Sequence, residues 1–460
     1  MEQQCFHDRL KCCGLQRYCF GNGIAIVPVV KHFCIAITGT VLSVCSLLSA
    51  QSPSSGTITA SSDPKVNLSL TLDQALAMSH ANSPRLKEAE ANVAAAKAGI
   101  KTARAYTNPS VEVFAGRQYA RPIATPGVPG LLQHYAGSQA IEVPSERSAR
   151  RHVAEHTSEA SRWAGQGILR SVDADTRHAF YEALHRREAA AHAVESLHLV
   201  SDLHRRVTVE VNTGEKGKLE LTRATAELAR AQFAVTSAQL EYAQAIANLR
   251  AVIAAPAEAS LNPQGVLEPR LSLPSFADLR NNIFQSHPAL LQSAQEQQAA
   301  KASLDQERAL RIPRPTAFAE FENQPDLRYW RAGVTIPLPL FDRRRGAIEE
   351  AKATIARTDA VREQRQLEIT AALERSYEQY QLADDQVSSL EAGPLHAAES
   401  AVQAAESAYR FGERGIVEVL DAQRVLQSVR GDLLDAQYAR QSALIDLEEL
   451  GAVAPSGVMP

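Results

Sequence analysis

The chain has 460 residues, a formal net charge of -4 and only 5% aromatic residues. This length exceeds one ordinary domain, the charge gives no single-sign block of the kind that binds nucleic acid, and the scarcity of aromatic residues is unusual for an enzyme core. Alanine and charged residues dominate the middle of each half, a composition that favours long helices over layered sheets.

The first 50 residues are predicted to be a signal peptide, because residues 33–50 form one apolar run that follows basic residues. Cleavage is expected after Ala50, and the residues before the run indicate a mis-assigned start codon, with the true one near Val29 or Val30. An uncleaved membrane anchor and a lipoprotein attached through Cys45 are the alternatives. All six cysteines lie in this segment, so the remainder has no disulfide and no cysteine metal site.

A flexible leader is predicted over residues 51–67, followed by a first module over residues 68–255. Thr71 or Asp73 is expected to cap its first helix. Next come a helix after Asn82-Ser-Pro84, strands near 109–119 and 135–143, a long helix over 145–213, a tip at 214–217 and a return helix over 219–253. The long helix contains no proline, so it can run for ~100 Å.

A proline-containing linker is predicted over residues 256–275, followed by a second module over residues 276–452 and a tail over residues 453–460. The module contains strands near 314–323 and 328–336, a long helix over 342–411 capped by Asp342, a tip at 412–415 and a return helix over 416–450. Gly393-Pro394 must kink or break the long helix. A coiled-coil seam is predicted from two sets of residues spaced by seven: Ile369, Ser376, Ala383 and Leu390, and Leu373, Tyr380 and Val387.

The two modules are predicted to be copies of one ancestral unit. Four pairs of identical residues stand 198 positions apart: Gly214 and Gly412, Gly217 and Gly415, Glu220 and Glu418, Ala224 and Ala422. Each Gly-x-x-Gly is expected to reverse the chain between two helices, because glycine adopts positive φ at little cost. The fold class is therefore mainly α with a small β part, built from duplicated strand-strand-long-helix modules.

Two strands per module cannot form a stable sheet alone. Three chains would supply twelve strands, which could close into a barrel that satisfies every backbone group in a membrane, while the long helices could form a hollow tube. The alternatives are a soluble periplasmic coiled-coil scaffold and a metal-binding helical bundle.

Residues 68–452 resemble the TolC family of outer-membrane efflux channels, through the duplicated plan, the Asn-Ser-Pro84 and Ser-His-Pro288 openings and the two tips. The resemblance implies a homotrimer with a twelve-stranded β-barrel in outer-membrane lipid and a periplasmic α-helical barrel of coiled coils. It also implies a passive exit duct without catalysis or cofactor, which docks with a periplasmic adaptor and an inner-membrane pump.

The stretch from Gly333 to Gly346, together with Ile141-Glu-Val-Pro144, is most similar to the heavy-metal (Czc-type) branch of the family. This similarity implies a pump of the resistance-nodulation-division type. The expected cargo is therefore metal cations, with drugs or other small organic compounds as the alternative.

The resemblance also implies roles for residues near the two tips. The predicted pore gate consists of the carboxylates Glu418 and Asp421, the lock residues Tyr409 and Arg414, and their first-module partner Glu220. The predicted adaptor-docking residues are Gly214, Gly217, Gly412 and Gly415. A solvated cluster of carboxylates at a helix start is the simpler alternative for the gate.

Seven histidines on the first long helix raise a metal hypothesis, and His178, His185 and His192 share one stripe because they are spaced by seven. No counterpart ligands appear on the other helices, as a di-iron bundle would require. We therefore expect solvated or interhelical histidines and no resident metal.

Overall fold

The computed structural model describes residues 67–118, 130–267 and 270–454, which belong to one structural unit. The predicted signal peptide, nearly all of the leader and the last six residues lie outside the described residues.

The described part of the first module contains β1 (Asn67–Leu70), α1 (Leu72–Asn82), α2 (Pro84–Arg104), β2 (Ser110–Gln118), β3 (Gly130–Ala140), α3 (Pro144–Asn212) and α4 (Lys218–Val252). Next in the chain are β4 (Ser260–Pro263), α5 (Phe276–Ser286), α6 (Pro288–Ala309), β5 (Thr316–Asn323), β6 (Arg328–Thr335), α7 (Arg345–Ala392), α8 (Pro394–Arg410) and α9 (Ile416–Glu449). The predicted fold class, mainly α with a small β part, is confirmed.

Local sequence explains where the helices begin. Thr71 caps α1 in a capping box with Gln74, which satisfies two backbone amides that the first turn leaves free. Pro84 and Pro288 occupy the first turns of α2 and α6, where the missing proline N–H costs nothing. Asp342 does not cap α7: its carboxylate accepts from the Arg344 amide at 2.7 Å, and the helix begins only at Arg345.

The residue before each of these prolines differs between the two modules: Ser83 precedes α2, and the half-buried His287 precedes α6. His287 caps the helix, with Nδ1 accepting from the Ala289 amide at 3.2 Å. Burial, and then the nearby Arg170, lower the pKa of His287 from 6.5 to about 4. Protonation would place a hydrogen on Nδ1 and break the cap.

We predict that the free energy of unfolding falls as the pH drops from 6.5 towards 4. In this range His287 is protonated in the unfolded chain but stays neutral in the folded protein. Above pH 6.5 this contribution is fully present. The loss is expected to reach about 2 kcal/mol, less than the full shift implies because the ring is partly solvated. His287→Asn keeps a capping acceptor without a titrating group. Denaturant unfolding of both proteins between pH 4 and 8 should therefore show a weaker pH dependence in the variant, and identical slopes would contradict the assignment.

One strand boundary differs from its prediction for a physical reason. The chain pairs from Gly130 onward with β2, in the register Gln118↔Gly130 to Ser110↔Ser138, so β3 begins before the predicted residue 135. Backbone pairing thus extends β3 into residues 130–134, where polar and apolar residues do not alternate cleanly. The helix predicted over 342–411 is divided at Gly393 into α7 and α8, because Pro394 cannot donate a backbone hydrogen bond, as its position in the sequence predicted.

One small sheet was missed by the sequence analysis. β1 pairs in parallel with β4, which lies inside the segment predicted as a linker. Leu70 and Leu261 from this pair are buried in a core cluster with Phe180, Leu184 and Leu249 of α3 and α4. The linker is thereby anchored against the helices of the first module.

The larger sheet has the order β2-β3-β5-β6, with all neighbours antiparallel. Alternation gives it two different faces. One face carries exposed apolar side chains, Val111, Val113, Tyr135, Phe321, Trp330 and Val334. The opposite face carries Glu112, His134, Glu320, Glu322 and Arg331. β2 and β6 are the outer strands of this sheet.

The predicted seam on α7 lies inward. Ile369, Leu373 and Tyr380 are buried in a core cluster with Leu444 and Leu447 of α9. The Tyr380 hydroxyl also donates to the Leu271 carbonyl at 2.8 Å, which ties the segment before α5 to α7. None of the helices in the described ranges is long and apolar enough to cross a membrane.

Candidate functional site at the helical tips

The two predicted tips are tight reversals of nearly the same geometry. Gly214 and Gly412 have φ of 85° and 73°, a region that favours glycine. The residue after each glycine donates its amide to the carbonyl five residues earlier. Glu215 donates to the Glu210 carbonyl, and Glu413 donates to the Ala408 carbonyl, both at 2.9 Å. Gly217 and Gly415 are the N-cap residues of α4 and α9.

An apolar cluster joins the helix ends at the tips. It contains Leu203 and Val207 of α3, Ala224 of α4, Tyr409 of α8, and Ile416, Val419 and Leu420 of α9. Because all four helices contribute buried side chains, the tips of the two modules form one packed end rather than two separate hairpins. Phe411 and Leu219 remain exposed at this end.

The two carboxylates predicted to form the gate are exposed at the start of α9, and each lies near an arginine. Glu418 is 4.0 Å from Arg414, and Asp421 is 3.0 Å from Arg424. Both pairs are solvent-exposed, so each contributes little to stability. These pairs instead alter the local electrostatic potential, because each arginine offsets part of the negative charge of its neighbouring carboxylate.

Arg424 was not predicted as a site residue. It makes two hydrogen bonds to Glu227 of α4, with Nη2–Oε2 and Nε–Oε1 distances of 2.7 and 3.3 Å. This bond lowers the pKa of Glu227, so the carboxylate stays ionised. Arg424 thus links the return helices of the two modules beside Asp421. The sequence feature that could have identified Arg424 is its position one helical turn after Asp421.

Tyr409 finds a different first-module partner from the predicted one. Its hydroxyl donates to Oε2 of Glu210 in the last turn of α3, at 2.5 Å, whereas Glu220 makes no such bond. Burial, followed by the Glu210 hydrogen bond, raises the pKa of Tyr409 well above its usual value, so the phenol remains a donor. Arg414, which lies in the second tip, pairs with Glu418 of α9 and not with Glu220. Glu220 has one buried carboxylate oxygen, Oε2, without a hydrogen-bond partner.

Comparison with known proteins now decides the family. The family model described as "Outer membrane efflux protein" matches residues 75–255 and 279–452, which correspond to the two modules. The chain belongs to this family. The outer membrane efflux proteins are efflux channels of the outer membrane with a large periplasmic part, and they work with adaptor and pump components in tripartite systems.

Curated relatives of this outer membrane efflux protein include a cobalt-zinc-cadmium resistance protein, CzcC of Cupriavidus metallidurans, at 25% identity over 78% of this chain and 85% of the relative. Protein CyaE of Bordetella pertussis is 28% identical over 67% of this chain and 68% of its own length. The nickel-cobalt-cadmium resistance protein NccC of Alcaligenes xylosoxydans is 28% identical over 69% and 70%.

A solved structure of CusC, whose description concerns folding and transmembrane channel formation, has the same fold. It superposes with a TM-score of 0.72 at 19% identity, covering 82% of this chain and 91% of CusC.

Two of the three histidines of the predicted stripe in this outer membrane efflux protein contact α9, whereas His192 Nδ1 lies 3.8 Å from Glu195 of its own helix. His178 Nε2 lies 2.9 Å from Asp446, and His185 Nε2 lies 2.8 Å from Asp435 while its ring stacks on Tyr438. Within the three described ranges, His, Cys, Asp and Glu side chains are nowhere grouped in threes that could hold a metal ion. His178 and His185 therefore contribute contacts between α3 and α9.

Proposed function

We propose that three copies of this chain form one passive duct that carries divalent metal cations out of the periplasm, with a periplasmic adaptor and an inner-membrane pump of the resistance-nodulation-division type as partners. The duct itself needs no cofactor and performs no catalysis. The observation that carries the proposal is the four-stranded sheet, which has one apolar face and one charged face.

The dimensions of this sheet suit a membrane barrel. Its strands have 8 to 11 residues, close to the ~9–11 that a tilted strand needs to cross a bilayer. Pairing β6 of one copy with β2 of the next would satisfy the outer strands and close a barrel of twelve strands. The apolar face would then meet lipid, and Glu112, Glu320 and Glu322 would line the lumen.

The tips supply the narrow end of the proposed duct. Glu418 and Asp421 of three chains would surround one axis and form a ring of carboxylates that favours cations. The exposed Phe411 and Leu219, 82% and 63% accessible, would offer apolar contacts to the adaptor beside the glycine turns at 214–217 and 412–415. Metal cations are favoured as cargo because CzcC and NccC are metal-resistance proteins.

The test begins with protein purified from the outer membrane of a strain that expresses the chain. We expect a trimer that resists dissociation when unheated, and cation-selective pores in planar lipid bilayers. Deletion of the gene should sensitise the native host to zinc, cobalt or cadmium, and re-expression should restore resistance.

Each competing function has a distinct outcome in the same experiments. A monomer that stays folded in water without detergent would indicate a periplasmic scaffold and would contradict the duct. Stoichiometric bound iron or zinc would indicate a metal-binding bundle. Pores combined with sensitivity to organic compounds, but not to metals, would overturn the cargo and leave the duct.

A further inference from the structure

The junction segment, residues 336–345, connects β6 to the first residue of α7 and leaves a run of apolar side chains uncovered. Four of them are more than half exposed: Ile336 53%, Leu338 69%, Leu340 64% and Phe341 99%. Single exposed apolar side chains are common on protein surfaces, but a continuous run marks a surface that contacts another apolar phase or partner. This run continues the apolar face of the large sheet, to which the exposed Val334 of β6 belongs.

The junction segment lies at the end of the large sheet where the helices attach. β6 ends at Thr335, which pairs with Thr316 at the start of β5, and α3 begins at Pro144, just after β3. In the proposed duct the helices extend into the periplasm. The junction segment therefore lies at the periplasmic boundary of the membrane.

The backbone of the junction segment suits the edge of a lipid bilayer. Pro337 and Pro339 have no N–H, and the Leu340 amide donates to the Leu338 carbonyl at 2.9 Å. These features reduce the number of unpaired donors that the segment brings to an apolar phase, where each unpaired donor is unfavourable.

Three consecutive arginines end the junction segment, and two of them have no acidic partner. The Arg344 guanidinium donates two hydrogen bonds to Glu307 of α6, at 2.6 and 2.8 Å, which fixes this end of the segment. Arg343 and Arg345 are exposed, and neither forms an ion pair with a carboxylate in the part of the chain that the structure describes. Their positive charges are therefore free to meet an anion.

The first module, in contrast, uses the arginines that follow its strands inside the protein. Arg150 donates two hydrogen bonds to Glu142, at 3.0 and 3.1 Å. The Arg147 guanidinium lies 3.8 Å from the ring centroid of Tyr106. Only the second module therefore presents unpaired arginines beside exposed apolar side chains at this end of the sheet.

We propose that the junction segment binds an anionic phospholipid of the periplasmic leaflet of the outer membrane. Phe341 and its apolar neighbours contact the acyl chains, and Arg343 and Arg345 bind the headgroup phosphate. Arginine suits this role because its planar guanidinium can donate to two phosphate oxygens at once. The inference rests on the proposed duct and adds one lipid site for each chain.

The experiment measures competitive binding of phosphatidylglycerol and phosphatidylcholine to the full-length trimer in detergent, by native mass spectrometry. The unmodified protein should prefer phosphatidylglycerol. Arg343→Gln combined with Arg345→Gln should reduce this preference about tenfold, because each arginine attracts the anionic headgroup. Phe341→Ala should weaken the binding of both lipids by similar, smaller factors, since it removes only apolar contact. An unchanged preference in the double glutamine variant would overturn the site.

Arg357→Gln combined with Arg375→Gln is the matched control. It removes the same charge from exposed positions of α7 that lie ~18 and ~45 Å further along the helix. The control should keep the preference for phosphatidylglycerol, and an equal loss would show that only total charge matters. Displacement of phosphatidylglycerol by an excess of inorganic phosphate would also overturn the inference, because the site would then recognise a free anion.

Two further outcomes separate failure of the lipid site from failure of the duct. A trimer that forms pores but does not prefer phosphatidylglycerol would reject the lipid site alone. Dissociation of the Phe341→Ala trimer in lipid-free detergent would show that a neighbouring copy covers the junction segment, and it would also reject the lipid site. An unmodified protein that forms neither trimers nor pores would reject the duct.

Discussion

Replacing both Glu418 and Asp421 with alanine is expected to abolish the cation preference of the channel and to raise its conductance several-fold. The reason is that Arg414 and Arg424, which lie 4.0 and 3.0 Å from these carboxylates, remain after the replacement. Arg424 stays paired with Glu227, and Arg414 loses its neighbouring carboxylate, so the constriction should no longer favour cations. The reversal potential under a tenfold KCl gradient measures this loss of selectivity.

Arg424→Gln is the converse variant, because it leaves Asp421 without its neighbouring positive charge. It should strengthen the cation preference. Glu258→Ala, which removes an exposed charge just before β4, is the matched control and should leave the reversal potential unchanged. If the double alanine variant keeps its cation preference, the constriction lies elsewhere in the duct.

Arg177→Ala is expected to lower the free energy of unfolding by about 3–5 kcal/mol, the cost of breaking a buried ion pair from one side. The Arg177 guanidinium lies 2.7 Å from Glu448 of α9, and the two side chains are only 8% and 5% exposed. Removing the arginine leaves a carboxylate buried between α3 and α9. Urea unfolding followed by circular dichroism in detergent, at one protein concentration for all variants, measures the loss.

Arg186→Ala supplies the comparison on the same helix. Arg186 lies 2.9 Å from Glu241 of α4, but both side chains are more than a third exposed. An exposed pair contributes about 0–1 kcal/mol, so this variant should be almost as stable as the unmodified protein. Equal losses in the two variants would show that burial does not govern the Arg177–Glu448 pair.

The sequence predicted features that depend on local chemistry. The positive φ of Gly214 and Gly412 and the helix break before Pro394 follow from the conformational preferences of single residues. The short β1–β4 pair was missed, because four residues are too few to show a strand period.

The partner of Tyr409 was missed for a different reason, since it depends on how the copies pack. Alignment of the repeats directs attention to Glu220, the duplicate of Glu418. The two modules pack side by side, however, so Tyr409 lies next to the residues around Val211, its equivalent in the first module. Its hydroxyl therefore donates to Glu210, the residue before Val211. Because equivalent residues of the two modules lie beside each other, a search among the sequence neighbours of Val211 would have found this contact.

The break at Gly393 makes the two copies mechanically unequal. α3 is one continuous helix of 69 residues, whereas its duplicate is divided into α7 of 48 residues and α8 of 17. A continuous helix is stiff along its whole length, whereas a helix interrupted by proline bends at the interruption. The first module is therefore braced along its whole length, whereas the second module has a defined position, Gly393-Pro394, at which its long helix can bend.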